Sequence, residues 1–137
     1  MIVGSRAFFE NIDGFTPKDT DVLILVDEPV GFKNCRQFTF KNKCVFEWRN
    51  MPVDEFIDIE LANNTPMSVC KFLVPEFIEL KGVTIEQLKR LQPLVDIMDD
   101  KHKYLSVIYD SYITNNGFYL TDEQLSNAYN EYKKYRE

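Results

Sequence analysis

The hydrophobic period of this chain changes at Pro52, and that change limits what it can fold into more than any other feature. Before it, apolar residues come in short runs bounded by turn formers: "MIV", "DVLILV", "RQFTF" and "CVFEW". Runs of that length, rich in β-branched and aromatic residues, read as strands. After it, Val53, Phe56, Ile57 and Leu61 recur at the spacing of one helix face, and Pro52 suits a first helical turn. Strands first and helices after, with no alternation between them, place the chain in the α+β class.

Local signals refine this layout. "MIV" forms a short strand running into Gly4-Ser5, and Arg6 to Asn11 forms a brief helix. "NIDGFTPKD" is a loop by its Asp-Gly and its Pro. "DVLILV" suits a strand buried on both faces. The polar "KNK" between "RQFTF" and "CVFEW" predicts an antiparallel hairpin. In the second half, "MSVCKFLVPEFIEL" is helical, kinked or divided at Pro75. Thr84 with Gln87 fits a capping box before a helix that buries Ile85, Leu88, Leu91 and Val95. "HKYLSVIYDSYI" is a helix that "NNG" stops, and Thr121 with Gln124 is a second capping box. With no linker between the halves, the 137 residues predict one domain: an αβ core over 1–50 and a helical extension over 51–137 packed on it.

Charge excludes some functions. The net charge of −6 is uneven: residues 1–50 hold seven Lys/Arg and seven Asp/Glu, and residues 51–137 hold nine and fifteen. An acidic chain is a poor general binder of nucleic acid, whose affinity comes largely from phosphate neutralisation. Lys33, Arg36, Lys41, Lys43 and Arg49 are either a meeting point for a phosphate-bearing ligand or the solvated faces of a hairpin. No apolar stretch is long enough for a membrane span, and the first residues do not read as a signal peptide. Cys35, Cys44 and Cys70 lack metal-site spacing, and their odd number favours reduced thiols in a cytoplasm. His102, the lone histidine, reads as a solvated helix residue.

The chemistry concentrates near the start. Asp19 and Asp21 stand one residue apart at the mouth of an apolar run. Residues i and i+2 of a strand share a face, so the two carboxylates lie side by side if the strand begins at Asp19. Like charges so placed raise one another's pKa unless a cation intervenes. Mg²⁺ favours a few carboxylates completed by water and substrate phosphates. Upstream, Gly4 permits close approach of the backbone to a phosphate, and Ser5 brings a hydroxyl and an N–H. A plainer role for Ser5 is the N-cap of the short helix after it.

A Gly-Ser step, a loop and then "DTD" opening an apolar strand resembles the nucleotidyltransferase superfamily, the group that includes DNA polymerase beta. The resemblance covers about Ile2 to Trp48. It implies a small mixed sheet as the core. It implies that Gly4 and Ser5 bind the nucleotide's phosphates, that Arg6 touches one, and that Asp19 and Asp21 hold Mg²⁺. It also implies a third carboxylate on a later strand. Glu47 in "VFEW" is the candidate, since it is the only acidic residue between Glu28 and Asp54. If Phe46 and Trp48 face the core, Glu47 faces the other side of the sheet, where its carboxylate is expected to converge with the Asp pair. Asp58 and Glu60 are rivals if "FIDIEL" is a strand. The competing role for Glu47 is a cross-strand salt partner of Arg36 or Lys41.

Three functional classes follow, the last a small αβ protein with no nucleotide role; the first two share the nucleotidyltransferase fold. One is an enzyme that transfers a nucleoside monophosphate from an NTP, ATP in the first instance, to a hydroxyl acceptor with Mg²⁺. Another is a catalytically inactive nucleotide-binding or protein-interaction module of the same fold, with the helical half as the partner surface. The seven tyrosines, all in the second half, suggest base stacking at first sight. At helical spacing they read as core residues with a hydroxyl at the rim.

Overall fold

The computed structural model describes residues 1–17, 20–27, 35–40, 43–64 and 74–135, with the backbone alone over 35–40. The chain divides into two compact units, Met1–Pro52 and Val53–Glu137. It is a small α+β protein with a mixed sheet.

The first unit runs β1 (Ile2–Val3), α1 (Ser5–Phe9), β2 (Thr20–Val26), β3 (Cys35–Phe40) and β4 (Lys43–Arg49). Spatially the strands lie in the order β1-β2-β4-β3. β1 is antiparallel to β2, with Val3 opposite Asp21. β3 and β4 form the hairpin predicted from the sequence, with Gln37 opposite Phe46. β4 then lies parallel to β2, with Asp21 beside Cys44 and Leu23 beside Phe46.

This register sorts every side chain by parity, because partners across a ladder share a face. One face carries Val3, Asp21, Leu23, Leu25, Cys44, Phe46 and Trp48, and Val3, Leu23 and Trp48 are buried. The other carries Ile2, Val22, Ile24, Val45, Glu47 and Arg49. Ile2 and Ile24 are 40% and 38% exposed, so β2 is deeply covered on one face and not on both. That corrects the expectation drawn from its unbroken apolar run, which cannot tell a strand covered twice from one covered once.

The second unit is helical: α2 (Val53–Asn63), α3 (Pro75–Lys81), α4 (Ile85–Arg90), α5 (Gln92–Val95), a 3-10 turn (Asp100–His102), α6 (Lys103–Asn115) and α7 (Asp122–Lys133). Both capping boxes form: Thr84 and Thr121 accept from the Gln87 and Gln124 amides, and each Gln side chain returns a bond to its cap residue. Gly82 ends α3 with φ 65°, its N–H donating to the Ile78 carbonyl. Asn116 ends α6 in the same left-handed region. Pro75 opens α3 instead of kinking a longer helix, while residues 65–73 lie outside the described residues.

The helix expected from Ile85 to Val95 is broken at Leu91, where ψ is −2°. Pro93 explains the break: it has no N–H, and its ring collides with the carbonyl four residues back. Leu88, Leu91 and Val95 are nonetheless buried, and Ile85 only partly so. Tyr104, Tyr109 and Tyr112 line the core, and the Tyr109 hydroxyl donates to the Leu88 carbonyl. Burial, then the charges of Asp110 and Asp96, pushes the Tyr109 hydroxyl far above its ordinary range, so it stays a donor. Tyr132 meets Tyr104 edge-on at 5.2 Å and stacks on Tyr129 at 6.2 Å. Tyr119 and Tyr135 are exposed. Among the described residues no helix is long and apolar enough to cross a membrane.

Candidate functional site

The Gly-Ser step sits at the turn from β1 into α1. Gly4 takes φ 74° and ψ −152°, a region that residues with a Cβ essentially do not occupy. Its conformation turns the chain from β1 directly into Ser5, the first residue of α1. Gly4 itself is the N-cap and no side chain caps the helix, so Ser5 is not the cap residue.

Asp21 gives Gly4 a second reason to be glycine. The pairing of Val3 with Asp21 brings the β1–α1 turn alongside the start of β2. A methyl group on Gly4 would stand 2.5 Å from Asp21 Oδ2 and 3.3 Å from its Cγ. The half-buried carboxylate therefore rests directly against the Gly4 α-carbon. Residues 17 apart in sequence, each singled out from it, are placed in contact by one strand pairing.

Arg6 lies one residue past Ser5 on α1. Its guanidinium reaches along the helix to Glu10, with Nη1 3.6 Å from Oε1. That partly exposed i,i+4 pair is weak, of the kind worth a few tenths of a kcal/mol. Its Nε is buried with no hydrogen-bond partner among the described residues.

Asp19 lies outside the described residues. So do Lys33, Lys41 and Cys70, and for Arg36 only the backbone position is described. The described part of β2 runs from Thr20, so the expected strand start at Asp19 lies outside the described residues.

Glu47 does not join this site. It is the β4 partner of Ile24, three residues along β2 from Asp21. Three is odd, so the two carboxylates leave opposite faces of the sheet, and they are roughly 10 Å apart along the strand before the sheet's thickness is counted. The expected convergence fails for the very reason that favoured it: Asp21 shares the face of Phe46 and Trp48, and Glu47 alternates away from them. Arg36 is the β3 register partner of Glu47, the position named by the salt-partner alternative.

The rivals fail on different grounds. "FIDIEL" is part of helix α2, in the second unit. Asp58 there is bonded by Arg90, which also reaches Asp54 at 3.0 Å, and Glu60 is buried.

Sequence reasoning missed Cys44. It is the β4 residue beside Asp21 and on the same face, half-buried and in no disulfide. Its signal was hidden in the hairpin register, which no single strand discloses. Farther along that face of β4 come Phe46 and Trp48. His102, expected to be solvated, is partly exposed and bonded to a neighbour. Its side chain is 21% exposed, and its Nδ1 lies 2.6 Å from Asp99 Oδ1. That hydrogen bond holds the Asp99 carboxyl below the usual carboxylate range.

Among the described residues no group of three or more His, Cys, Asp or Glu side chains is gathered so as to hold a metal ion. The donor set at the turn is one described carboxylate beside a Gly-Ser step. It suits a Mg²⁺ ion that arrives on nucleotide phosphates, since Mg²⁺ is commonly held by one or two carboxylates plus phosphate and water. Among the described residues it does not offer the three carboxylates that would hold a pair of ions. Comparison with family models, with curated proteins and with solved structures finds no match to this chain.

Proposed function

We propose that this protein binds a nucleoside triphosphate, ATP in the first instance, together with Mg²⁺ in the manner of a nucleotidyltransferase, as a binding module and not as a transferase. The observation that carries this reading is the contact of Asp21 with Gly4. It unites two halves of a motif that are meaningless apart. In the bound state the Gly4–Ser5 backbone and the Ser5 hydroxyl take the triphosphate, Arg6 exchanges Glu10 for a phosphate oxygen, and Asp21 faces the cation, with Asp19 as the companion ligand expected from the sequence. Mg²⁺ would neutralise the phosphates and tie them to the carboxylate.

The binding reading is preferred to catalysis because transfer needs the acceptor hydroxyl activated beside the metal. On the Asp21 face, β4 offers Cys44, Phe46 and Trp48, and its one carboxylate lies on the other face. A thermal-shift matrix tests the proposal. ATP and Mg²⁺ together should raise the melting temperature, while either alone should leave it near its starting value, because a ligand that binds the folded state stabilises it. The pair Asp19→Asn with Asp21→Asn should abolish that response and keep the fold. No shift in any arm refutes nucleotide binding. Pyrophosphate released from ATP in step with an acceptor would restore the transferase reading.

A further inference from the structure

We propose that Asn116 is a deamidation site which the end of α6 holds latent: it converts to aspartate and isoaspartate only while that turn is open, and the change loosens α7. This is independent of the nucleotide reading. Asn116-Gly117 is the chain's one Asn-Gly step, and Asn116 is exposed. In such a step the Gly117 nitrogen attacks the Asn116 side-chain carbonyl carbon. A C–N bond forms, and the proton of the attacking nitrogen passes through solvent base to the side-chain nitrogen, which leaves as ammonia. Water then opens the cyclic imide at either carbonyl. Both routes leave a carboxylate, and one threads the main chain through the Asn116 β-carbon. Glycine favours the attack because it has no side chain to shield its backbone nitrogen.

The closed turn withholds what the reaction needs. Gly117 donates its N–H to the Tyr112 carbonyl at 3.1 Å and Asn116 donates to the Ile113 carbonyl at 3.1 Å, the paired bonds of a Schellman stop. The proton that must leave is therefore in use. Asn116 sits at φ 51° and ψ 42°. Imide closure needs the Gly117 nitrogen nearly eclipsed with the Asn116 β-carbon, which this ψ does not give. A Cβ on Gly117 would stand 2.9 Å from Tyr119 Cε1, so the Tyr119 ring lies against the step. Asn115 ties the loop down: its Nδ2 donates to the Tyr119 carbonyl at 3.0 Å and to Gln124 Oε1 at 2.7 Å, and Gln124 donates back to Asn115 Oδ1. Gln124 is also the capping-box residue of α7, so this clasp joins the two helices. A new charge and a longer main chain between Asn115 and Gly117 break the stop and the spacing on which the clasp depends.

Peptide mapping by mass spectrometry of the full chain, aged in mildly alkaline buffer with and without urea, tests this. In urea Asn116 should convert faster than any other asparagine. In buffer alone it should convert about tenfold more slowly or less, since only the open fraction reacts. Asn115→Ala, which cuts the clasp, should raise the rate in buffer about threefold or more and leave the rate in urea unchanged. Tyr119→Ala, at an exposed position, serves as a second variant, and circular dichroism shows that each is folded. Isoaspartate-bearing protein, separated by ion exchange, should exchange its α7 amides for deuterium about tenfold faster than unaged protein. Equal rates in buffer and in urea would overturn the latency. Absence of conversion in urea would overturn the site, and unchanged α7 exchange would overturn the loosening.

Discussion

The two units of this protein place their important residues by different means. In the helical unit the polar features are mostly settled within a turn of chain: Thr84 with Gln87, Thr121 with Gln124, Asp99 with His102. In the sheet unit the contacts that gather the candidate site are long-range. Gly4 meets Asp21 across a ladder, and Cys44 reaches the same face through a parallel pairing of β2 with β4. Local devices tolerate change at a distance. A site assembled by register depends on every strand that sets the register.

The largest expected effect follows from that contrast. Gly4→Ala meets both a backbone region reserved for glycine and the Asp21 carboxylate, so it should cost about 3 kcal/mol of stability in urea melts. Gly82→Ala, at φ 65° with open space around it, should cost about 1 kcal/mol. Asp21→Ala in the Gly4→Ala background should recover the collision but not the backbone strain. Equal costs at the two glycines would show that the contact with Asp21 carries no weight.

A smaller effect tests the local side of the comparison. Thr84→Ala and Thr121→Ala each remove a hydroxyl that accepts a backbone N–H, at 3.2 Å in both cases, and each should cost about 1 kcal/mol. Neither should change the response to ATP and Mg²⁺. A lost response in a cap variant would mean that the units are coupled more closely than local bonding requires.

How far the sequence could be read follows the same division. Caps, the Asn116 stop and the hairpin are short-range facts, and the residues that cause them are adjacent in the chain. Thr84, Thr121 and Asn116 were legible for that reason. The break at Leu91 was legible in principle, because Pro93 causes it, but the apolar spacing continued through it and hid it. Glu47 was misplaced because alternation along β4 was read correctly while its phase against β2 was not available. A one-residue difference in pairing moves a side chain to the other face, and only the register of Asp21 with Cys44 settles it. The Gly4–Asp21 contact needed the same information.

The smallest effects concern pH and have opposite signs. The Asp110 carboxyl lies above the usual range, chiefly because burial opposes its charge and secondly because Asp96 is near. Its ionised form is disfavoured by the fold, so stability is greatest while it is protonated and falls as pH rises through its folded value. Asp110→Asn should therefore stabilise the protein at pH 7 by less than about 1 kcal/mol, since the carboxyl is only partly withdrawn from water, and leave it unchanged at pH 3. Asp99 is held low by His102, so its contribution is present above the ordinary carboxylate range and lost as pH falls through its folded value. Asp99→Asn should flatten the acid limb of the stability curve.

The central claim is that one strand pairing builds a nucleotide site at the β1–α1 turn. Amide chemical shifts of the full chain, followed during titration with ATP and Mg²⁺, test it most directly. The amides of Gly4, Ser5, Arg6 and Asp21 should move together in saturable fashion, those of Glu47 and the helical residues 84–133 should move little, and EDTA should reverse the change. Saturable shifts confined to other residues, or none at the Gly4–Arg6 turn, would contradict it.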